Sequence, residues 1–581
     1  MLKRIKLFAI AIIIILCIYI VRLMQLQLLE PTHFSKKEIN LIENSIEKRG
    51  QSIVIDEGRG HFLYSDGSSM VYEKKEAVVI FPFTKKKEIN WSQLAKIVDV
   101  EESDIKEQLK NATAPFVLNK NGQDLYINKK QMNEINELQI SGIYGVEMHD
   151  RLPNRLADHL IGITGENVEV LRKRYPYYHY PINTLIGLSG LEKSFDYFLV
   201  NASKSKLVYY VDNNNNALFG EHVKYVAPAN PFYPLRIVTT INKEIQKEIE
   251  DIISASFITK GGAILIDVST NDIVATISVP SINHNNPFDL HTGSAQNEMF
   301  REQIIGSVFK PVVTAAAIET LNLDFHRRFD CNKNILGKVD PNYQYGMLDV
   351  TDSFAKSCNN TFGTLSKELN PDALNSYAIK LGLIGPISWL GEVVHHKNFK
   401  QIEEDKGRVF LKDSPITDPN FLAQTGIGQQ EVRATPLGVA NMMATIARGG
   451  ENKAVRVVKE IQYKNGAVFF KFPTQTIEDK KVTPITAMKL QRLLREVVMN
   501  GTAKQLNDSF TTIAGKTGTA ELDKVDNNQQ PLYNKWMAGY FPFEEPKYAL
   551  VVVSLETKNP NEKVNMIFKQ IVEAISLEKE N

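Results

Sequence analysis

The sequence has few cysteines and almost no net charge, and each of these features argues against a class of protein. Three cysteines, Cys17, Cys331 and Cys358, are too few for a disulfide-stapled scaffold in a chain of 581 residues. Cys331 and Cys358 could pair, but from the sequence we expect no bridge between them. The formal net charge of +1 gives no electrostatic reason to expect nucleic acid as a partner.

Metal ligands at the spacings that metal sites use are also lacking. Among the 11 histidines and three cysteines, the nearest approach to such a pattern is the pair His395 and His396 in VVHHK. We interpret this pair as part of a solvated loop or a helix end, because no third ligand accompanies it. The sequence therefore predicts neither a metal nor a cofactor.

Only one apolar run is long enough to cross a membrane, and it stands at the N-terminus. Residues 7–21 are all apolar, and with Leu23, Met24 and Leu26 the run approaches the ~20 residues of a spanning helix. A cleaved signal peptide is the alternative, but its cleavage site needs small residues, and VRLMQLQLLEP offers bulky ones. Because three basic residues precede the run, we predict a cytoplasmic segment at 1–6. We further predict a single transmembrane anchor at 7–26 and an extracytoplasmic body, held at the cell membrane.

A chain of this length exceeds what one hydrophobic core supports, so we expect several domains. Residues 27–234 alternate short strand-like runs with charged helical segments, and they gather no catalytic residue types. We interpret them as an elongated, mixed α+β pedestal that serves as a spacer. Within residues 235–581, the strand hairpin GGAILIDVSTNDIVATISV precedes helical segments, further strand-like runs and a closing helix. This order predicts an α/β or α+β domain in which helices cover one antiparallel sheet.

The stretch REQIIGSVFKPVV places Ser307 three residues before Lys310 and puts Pro311 next. Proline is tolerated in the first turn of a helix, so a helix is predicted to begin near Ser307, with Lys310 on the same face. A serine hydroxyl needs a base to become a nucleophile, and a lysine serves if burial or a second cation keeps it neutral. The same Ser-x-x-Lys spacing recurs elsewhere, at Ser103 and Ser353 among others, so the pattern alone is weak.

A second lysine of the required kind stands in AGKTGTAE, which holds the only Lys-Thr-Gly of the chain. The run predicts a strand carrying Lys516, Thr517, Gly518 and Thr519. Gly518 has no side chain, so another backbone can approach it closely. The hydroxyls of Thr517 and Thr519 are suited to binding a carboxylate, although a plain threonine-rich strand is an equally good interpretation of the tripeptide alone.

The third pattern is Ser357 and Asn359 in FAKSCNNTFG. Ser-x-Asn also occurs at Ser269 and Ser281, so it too is weak by itself. The order is what adds specificity, because Ser-x-x-Lys, Ser-x-Asn and Lys-Thr-Gly follow one another in the part of the chain predicted to be exported.

In this order the three patterns resemble the active-site motifs of the penicillin-binding protein and serine β-lactamase superfamily. GIGQQEVRATPLGVANMMATIARGG and WMAGYFP are similar to the transpeptidase domain of that family. RGQSIVID, RLPNRLADHLIGITG and GLSGLEKSFD resemble the pedestal of class B, monofunctional penicillin-binding proteins. The likeness covers nearly the whole chain, including the anchor. Residues 305–307 read Ile-Gly-Ser where Pro-Gly-Ser is usual, and residues 56–60 lack the usual Asp-Arg-x-Gly, which leaves the subfamily open.

The resemblance implies a D,D-transpeptidase that cross-links peptidoglycan. Ser307 would attack the penultimate D-Ala carbonyl of a stem peptide, and Lys310 would take the serine proton. Ser357 and Asn359 would relay protons and hold the substrate amide. Lys516 would raise the local positive potential, which keeps Lys310 neutral and attracts the terminal carboxylate.

The resemblance further implies that the segment Thr517, Gly518 and Thr519 binds that carboxylate or its counterpart in penicillin. The backbone N–H groups of Ser307 and Thr519 would form the oxyanion hole. The implied partners are peptidoglycan stem peptides ending in D-Ala-D-Ala, β-lactam antibiotics, the membrane through the N-terminal helix, and a polytopic glycan polymerase.

Other proteins of this superfamily are alternatives. A β-lactamase shares the three motifs, but it needs a dedicated base for hydrolysis and has no use for a pedestal. A β-lactam sensor would need several membrane spans, and a class A bifunctional enzyme would need a glycosyltransferase domain, and the sequence has neither. A membrane-anchored penicillin-binding scaffold without catalysis also stays open, although all three motifs are intact.

Overall fold

A computed structural model describes residues 2–577 apart from residues 33, 35–40, 42–44, 46–48, 153–154, 179, 201–203, 213–217, 219–221, 228–229, 289–292, 342, 479–480 and 527. The chain forms two compact units. Unit 1 comprises Met1–Gly58, Tyr72–Arg151 and Ser203–Pro231, and unit 2 comprises Arg59–Val71, Leu152–Ala202 and Phe232–Asn581. The domain limits predicted at residues 6, 26 and 234 stay a prediction, and the segments Arg59–Val71 and Leu152–Ala202 of the predicted pedestal belong to unit 2.

The N-terminal apolar run forms a helix, as its composition predicts. An α-helix spans Leu2–Met24 and continues as a π-helix over Gln25–Leu29. The stretch Lys3–Leu29 has a mean hydropathy of 2.9, and its side chains are exposed rather than packed in a core. A helix of 27 residues with this composition is long and apolar enough to cross a membrane, and it contains the predicted span 7–26.

The rest of unit 1 is built on two antiparallel sheets. In one, the strand Tyr72–Ile80 pairs with Ile143–Arg151, Phe116–Val117 and Tyr126–Ile127. In the other, Ser205–Tyr210 lies between Gly50–Asp56 and Lys224–Val226. The remaining elements are the helices Pro82–Lys86, Trp91–Val98, Glu102–Asn111 and Lys129–Glu137, and the hairpin Asn119–Lys120 with Gln123–Asp124. The predicted mixture of short strands and charged helices is therefore present in this unit.

The centre of unit 2 is one antiparallel sheet of five strands. Its order is Ile273–Val279, Gly261–Asp267, Tyr548–Thr557, Pro531–Phe541 and Ala514–Val525. The first two strands form the hairpin that the sequence predicts. Every residue from Tyr548 to Leu555 is buried, so both faces of the sheet are covered. Long helices that pack on it are Lys243–Ser254, Pro436–Ala447, Pro484–Met499 and Val564–Leu577.

Further elements of unit 2 surround this sheet. A second sheet contains His61–Leu63, Arg236–Thr239, Val458–Gln462 and Val468–Lys471. Two-stranded pairs are Thr164–Glu166 with Leu185–Gly187, Phe329–Asp330 with Met347–Leu348, and Leu390–Val393 with His396–Lys400. The other helices are Asp158–Ile161, Val168–Arg174, Gly190–Ser194, Asp196–Leu199, Glu298–Phe300, Gly306–Phe309, Lys310–Thr320, Val350–Ala355, Asn359–Glu368, Pro371–Lys380, Pro419–Gly426, Pro484–Met499 and Lys504–Leu506.

A buried ion cluster holds the early segment of unit 2 in place. Arg59 is 4% exposed, and its guanidinium donates to Glu192 at 2.7 Å and to Asp196 at 2.8 Å. Asp196 also accepts from the Tyr175 hydroxyl and from the backbone N–H of Gly187. Because both carboxylates are almost fully buried, each depends on these partners for its charge. The segment that departs from the family's usual pattern therefore carries a buried structural arginine.

Replacing Arg59 with methionine should destabilise unit 2 by about 3–5 kcal/mol, because it removes the guanidinium shared by two buried carboxylates and leaves Arg174 as the cation beside Asp196. The measurement is the midpoint of thermal unfolding of the detergent-solubilised chain. The matched control is Lys74→Met, which breaks the exposed Lys74–Glu147 pair and should cost less than about 1 kcal/mol. Equal midpoints for the two variants would contradict the structural role of Arg59.

Candidate active site

Ser307 lies where a helix begins, as the sequence predicts. It belongs to the 3-10 turn Gly306–Phe309, which runs directly into the α-helix Lys310–Thr320 with Pro311 in its first turn. Ser307 is half-buried, and its hydroxyl makes no hydrogen bond to the described part of the chain. This leaves the hydroxyl free to meet a ligand, and the contact with a base commonly tightens only when substrate is bound.

Two glycines allow the turn around Ser307 to lie against the strand Ala514–Val525. Gly306 has a φ of +56°, and a Cβ added there would lie 2.4 Å from the carbonyl oxygen of Thr519. A Cβ on Gly518 would lie 2.8 Å from the carbonyl oxygen of Ile305. Since neither position has room for a side chain, only glycine permits this approach. The predicted close backbone contact at Gly518 is confirmed.

Lys310 is fully buried, and its amino group is surrounded by acceptors from one loop. Lys310 Nζ lies 2.7 Å from the Ser357 carbonyl oxygen, 3.0 Å from Ser357 Oγ and 2.9 Å from Asn359 Oδ1. The ring of Phe362 lies 5.1 Å from the same nitrogen. No carboxylate among the described residues pairs with this lysine, so its charge is not stabilised by an anion.

Lys516 is also fully buried and reaches the same hydroxyl from the neighbouring strand. Its Nζ lies 2.9 Å from Ser357 Oγ and 3.1 Å from the carbonyl oxygen of Thr517. Burial, together with the nearby Lys516 charge, lowers the pKa of Lys310 well below its usual value. Burial lowers the pKa of Lys516 to about 7. A neutral Lys310 can accept a proton, which is the property required of a base beside a serine nucleophile.

Ser357 adopts a left-handed backbone conformation, with a φ of +59°. Such a conformation is uncommon for a residue other than glycine and persists where the surroundings impose it. It turns the chain so that both the carbonyl oxygen and the hydroxyl of Ser357 face Lys310. The helix Asn359–Glu368 begins directly afterwards and positions Asn359, whose amide nitrogen lies 3.3 Å from the hydroxyl of Tyr343.

The expectation that Cys331 and Cys358 remain unbridged is wrong. They form a disulfide, although 27 positions separate them in the chain. The strand pair Phe329–Asp330 with Met347–Leu348 folds the intervening segment back and brings the two Cα atoms to 5.8 Å. Cys358 stands between Ser357 and Asn359, so the bridge ties the Ser357 loop to the core. A signal was present in the sequence, because a cysteine occupies the middle of the Ser-x-Asn motif.

The hydroxyls of Thr517 and Thr519 lie on one face of their strand, since they are two residues apart. Each hydroxyl has a hydrogen-bond partner that the sequence analysis did not identify. Thr502 Oγ1 lies 2.6 Å from Thr517 Oγ1, and Lys535 Nζ donates to Thr519 Oγ1 at 2.7 Å. Thr502 belongs to NGTA, a segment with no polar pattern that identifies it. Lys535 enters through strand pairing, which a sequence does not display.

The other candidate sites of the sequence do not join this group. Ser353 is buried and accepts from the Thr361 hydroxyl at 2.9 Å, so it serves in packing. His395 is exposed in the turn of the hairpin Leu390–Val393 with His396–Lys400, as a solvated loop predicts. For His396 that interpretation is wrong, because it begins the second strand and lies half-buried against the ring of Tyr197. Within the described residues, no group of three histidine, cysteine or acidic side chains could hold a metal ion.

The structure therefore joins residues of the three motifs. Lys310 contacts Ser357 and Asn359, Lys516 contacts Ser357, and Ser307 stands one helical turn before Lys310. A half-buried serine lies near one lysine of lowered pKa, and a second lysine shares a hydroxyl with the first. The backbone of the Ser307 turn lies against the strand Ala514–Val525, which carries the hydroxyls of Thr517 and Thr519. This set of groups is suited to acyl transfer through a covalent serine ester.

Family models match most of the chain. The model described as "Penicillin binding protein transpeptidase domain" covers residues 261–573, which is more than half of the sequence. The model described as "Penicillin-binding Protein dimerisation domain" covers residues 54–230.

Among curated proteins, the chain is 28% identical to the peptidoglycan D,D-transpeptidase PbpA of Mycobacterium tuberculosis over 54% of its own length. That match spans 66% of PbpA, so about a third of the relative lies outside it. The chain is 22% identical to the peptidoglycan D,D-transpeptidase FtsI of Escherichia coli K12, over 80% of its own length and 72% of FtsI.

Solved structures resemble the chain in fold. One, from work on "polymerization and crosslinking by a peptidoglycan synthase complex", covers 98% of both chains with a TM-score of 0.64 and 21% identity. Another is the penicillin G acyl-enzyme complex of penicillin-binding protein A from M. tuberculosis. It covers 59% of this chain and 81% of that one, with a TM-score of 0.50 and 24% identity.

Removing the disulfide should loosen the Ser357 loop, because the bridge holds a backbone conformation that is otherwise uncommon. In the double variant Cys331→Ser with Cys358→Ser, we expect severalfold faster hydrogen exchange at the backbone amides of residues 353–360. Exchange in the strand Ala514–Val525 should be unchanged and provides the internal reference. Cys17→Ser, which removes the free cysteine, is the matched control. Unchanged exchange in the double variant would show that the loop holds its conformation without the bridge.

Proposed function

The chain belongs to the penicillin-binding protein transpeptidase family, and from this premise we propose that it cross-links peptidoglycan as a D,D-transpeptidase, with Ser307 as the acylated residue. Family membership confirms the fold class predicted from the sequence, and it supports the predicted enzyme class, a serine enzyme that transfers an acyl group. One observation carries the assignment of residues: both Lys310 and Lys516 contact Ser357 Oγ. Lys310 lies one helical turn after Ser307, the proposed nucleophile.

In the first half-reaction, Ser307 Oγ attacks the carbonyl carbon of the penultimate D-Ala of a donor stem peptide. The hydroxyl proton passes to the neutral Nζ of Lys310, and a tetrahedral intermediate forms. The backbone N–H groups of Ser307 and Thr519 hold its oxyanion, an interaction that typically contributes about 3–4 kcal/mol. The position of Gly306 against the Thr519 carbonyl supports this arrangement, because it keeps the two backbone segments adjacent.

Collapse of the intermediate breaks the bond between the carbonyl carbon and the nitrogen of the terminal D-Ala. The leaving amine takes a proton from the Ser357 hydroxyl, and Lys310, now an ammonium, returns a proton to that oxygen. The distance of 3.0 Å between Lys310 Nζ and Ser357 Oγ supports this relay. Asn359 accepts from Lys310 through Oδ1, and one N–H of its amide nitrogen donates to the Tyr343 hydroxyl, which leaves the second N–H for the substrate backbone. The products are free D-alanine and the Ser307 ester.

In the second half-reaction, an amine from a neighbouring stem peptide attacks the ester and forms the cross-link. Ser307 leaves and regains its proton through Lys310. With a β-lactam the first half-reaction opens the ring, but the leaving nitrogen stays attached to the acyl group. It then obstructs the acceptor amine, so the acyl-enzyme persists. The substrate carboxylate, or that of the β-lactam, binds the hydroxyls of Thr517 and Thr519 next to Gly518, with Lys516 adding positive potential.

We also propose that the N-terminal helix anchors the enzyme in the cell membrane in a single pass. The basic residues Lys3, Arg4 and Lys6 precede the apolar run, which favours a cytoplasmic N-terminus and an extracytoplasmic catalytic domain. A solved structure of similar fold comes from a peptidoglycan synthase complex that couples polymerization to crosslinking. By analogy, the partner proposed for this chain is a polytopic glycan polymerase of the same membrane.

The direct test is covalent labelling by a fluorescent penicillin. The detergent-solubilised wild-type chain should carry one label on the peptide that contains Ser307, and Ser307→Ala should abolish it. Ser103→Ala is the matched control, because Ser103 precedes Lys106 at the same spacing but lies exposed on a helix of unit 1. A label that survives in Ser307→Ala would overturn the assignment. Rapid loss of the label from wild type by hydrolysis would instead indicate a β-lactamase.

The pH dependence of acylation tests the role of Lys516. Lys310 accepts a proton only when neutral, so the acylation rate rises with pH as Lys310 loses its proton. Lys516 lowers the pKa of Lys310, so Lys516→Ala should raise that pKa and move the rising limb to higher pH. At neutral pH we expect acylation to slow on the order of tenfold for each unit of that shift. Lys516→Arg keeps the positive charge, so its acylation rate should rise over the same pH range as in wild type. A rise at the wild-type pH in Lys516→Ala would refute the proposal that Lys516 lowers the pKa of Lys310.

A further inference from the structure

Lys535 lies at the edge of the active site without belonging to any of the three motifs. It is on the strand Pro531–Phe541, directly opposite Thr519 in the register of the sheet. Its Nζ donates to Thr519 Oγ1 at 2.7 Å and to the carbonyl oxygen of Pro560 at 2.6 Å. An ammonium has three N–H groups, so one donor remains for a further acceptor.

The charge of Lys535 is only partly matched by the protein. The nearest acidic influence on it is Glu562, which raises its pKa while partial burial lowers it by more. Glu562 itself accepts from the Ser554 hydroxyl at 3.1 Å. Among the described residues, Lys535 forms no ion pair with any carboxylate. A partly buried cation in this position favours an anion supplied from outside the chain.

The contact with Lys535 also determines what the Thr519 hydroxyl does. An ammonium donates and never accepts, so its N–H occupies a lone pair of Thr519 Oγ1. The hydroxyl proton of Thr519 is then directed elsewhere, and Thr519 is exposed on the side of the strand that carries Thr517. Thr519 becomes a donor whose strength the adjacent positive charge increases.

Lys516, which lies on the same strand as Thr519, is less suited to the same task. Its amino group is fully buried and committed to Ser357 Oγ and to the carbonyl oxygen of Thr517. Burial lowers its pKa to about 7, so close to neutral pH it carries only part of a charge. The cation that reaches the exposed end of the hydroxyl row is Lys535.

We propose that Lys535 is a substrate-binding residue that, together with Thr519, binds the terminal carboxylate of the donor stem peptide and the corresponding carboxylate of β-lactams. The inference rests on the proposed function, since it concerns the same site. It adds a charged group to a subsite whose motif residues at positions 517–519 are neutral. The alternative role is structural, because the bond to Pro560 ties down the segment before the helix Val564–Leu577.

The test compares a ligand that carries the carboxylate with one that does not. Second-order acylation rate constants are measured for benzylpenicillin and for its methyl ester, on the full-length chain in detergent. In Lys535→Met we expect benzylpenicillin to react at least tenfold more slowly, the loss typical of one charge-assisted hydrogen bond. The methyl ester should change by less than about twofold, because it has no charge for Lys535 to bind. Lys535→Arg should recover most of the benzylpenicillin rate, since it restores the cation.

The matched control is Lys524→Met. Lys524 is an exposed lysine of the adjacent strand, paired with Glu556 at 2.7 Å, and its removal should leave both rate constants unchanged. Equal slowing of both ligands in Lys535→Met would assign Lys535 a structural role and overturn the proposal. No slowing of either ligand would overturn it as well. If wild type is not acylated at Ser307, the proposed function fails, which is distinct from a failure confined to Lys535.

Discussion

Two buried lysines that share one serine hydroxyl are the constraint on which the site depends. Lys310 and Lys516 approach Ser357 Oγ to 3.0 Å and 2.9 Å, and neither pairs with a carboxylate among the described residues. An acidic partner would stabilise the charged form of Lys310 and remove its capacity as a base. Burial and mutual repulsion instead favour loss of a proton, so the chemistry depends on the absence of a counter-ion as much as on the lysines themselves.

Three parts of the surrounding fold hold Lys310, Lys516 and Ser357 close together. Gly306 and Gly518 let the turn that carries Ser307 lie against the strand that carries Lys516, at distances that no side chain would permit. The disulfide at Cys358 holds the Ser357 loop from the other side, where the backbone adopts a left-handed conformation. A disulfide persists in an oxidising compartment, which agrees with the proposed extracytoplasmic location of the catalytic domain. The helix thus supplies Lys310, the strand supplies Lys516 and the loop supplies Ser357. A shift of any of the three would break a hydrogen bond to Ser357 Oγ.

Local patterns in the sequence were sufficient for the elements that carry the motifs. The hairpin at 261–279 followed from two apolar runs and a polar turn, and the helix after Ser307 followed from Pro311, because both signals are local. The disulfide, the Arg59 cluster and the contact between Lys535 and Thr519 did not follow, because each depends on how separate elements meet in space. Arg59 illustrates the point, since it stands among residues of the predicted pedestal but packs within unit 2.

By itself the sequence determined which reactive groups are present and in what order, namely a serine with a lysine one turn away, a second serine with an asparagine, and a second lysine on a strand. Order and spacing were enough to identify the family, because three patterns that are each weak alone become specific when they occur together in one order. Only the tertiary structure decided that Lys310 and Lys516 meet at one hydroxyl, and that Lys535 stands beside Thr519. The physical reason is that a pKa and a hydrogen bond depend on burial and on distances through space, and the folded chain alone sets those quantities.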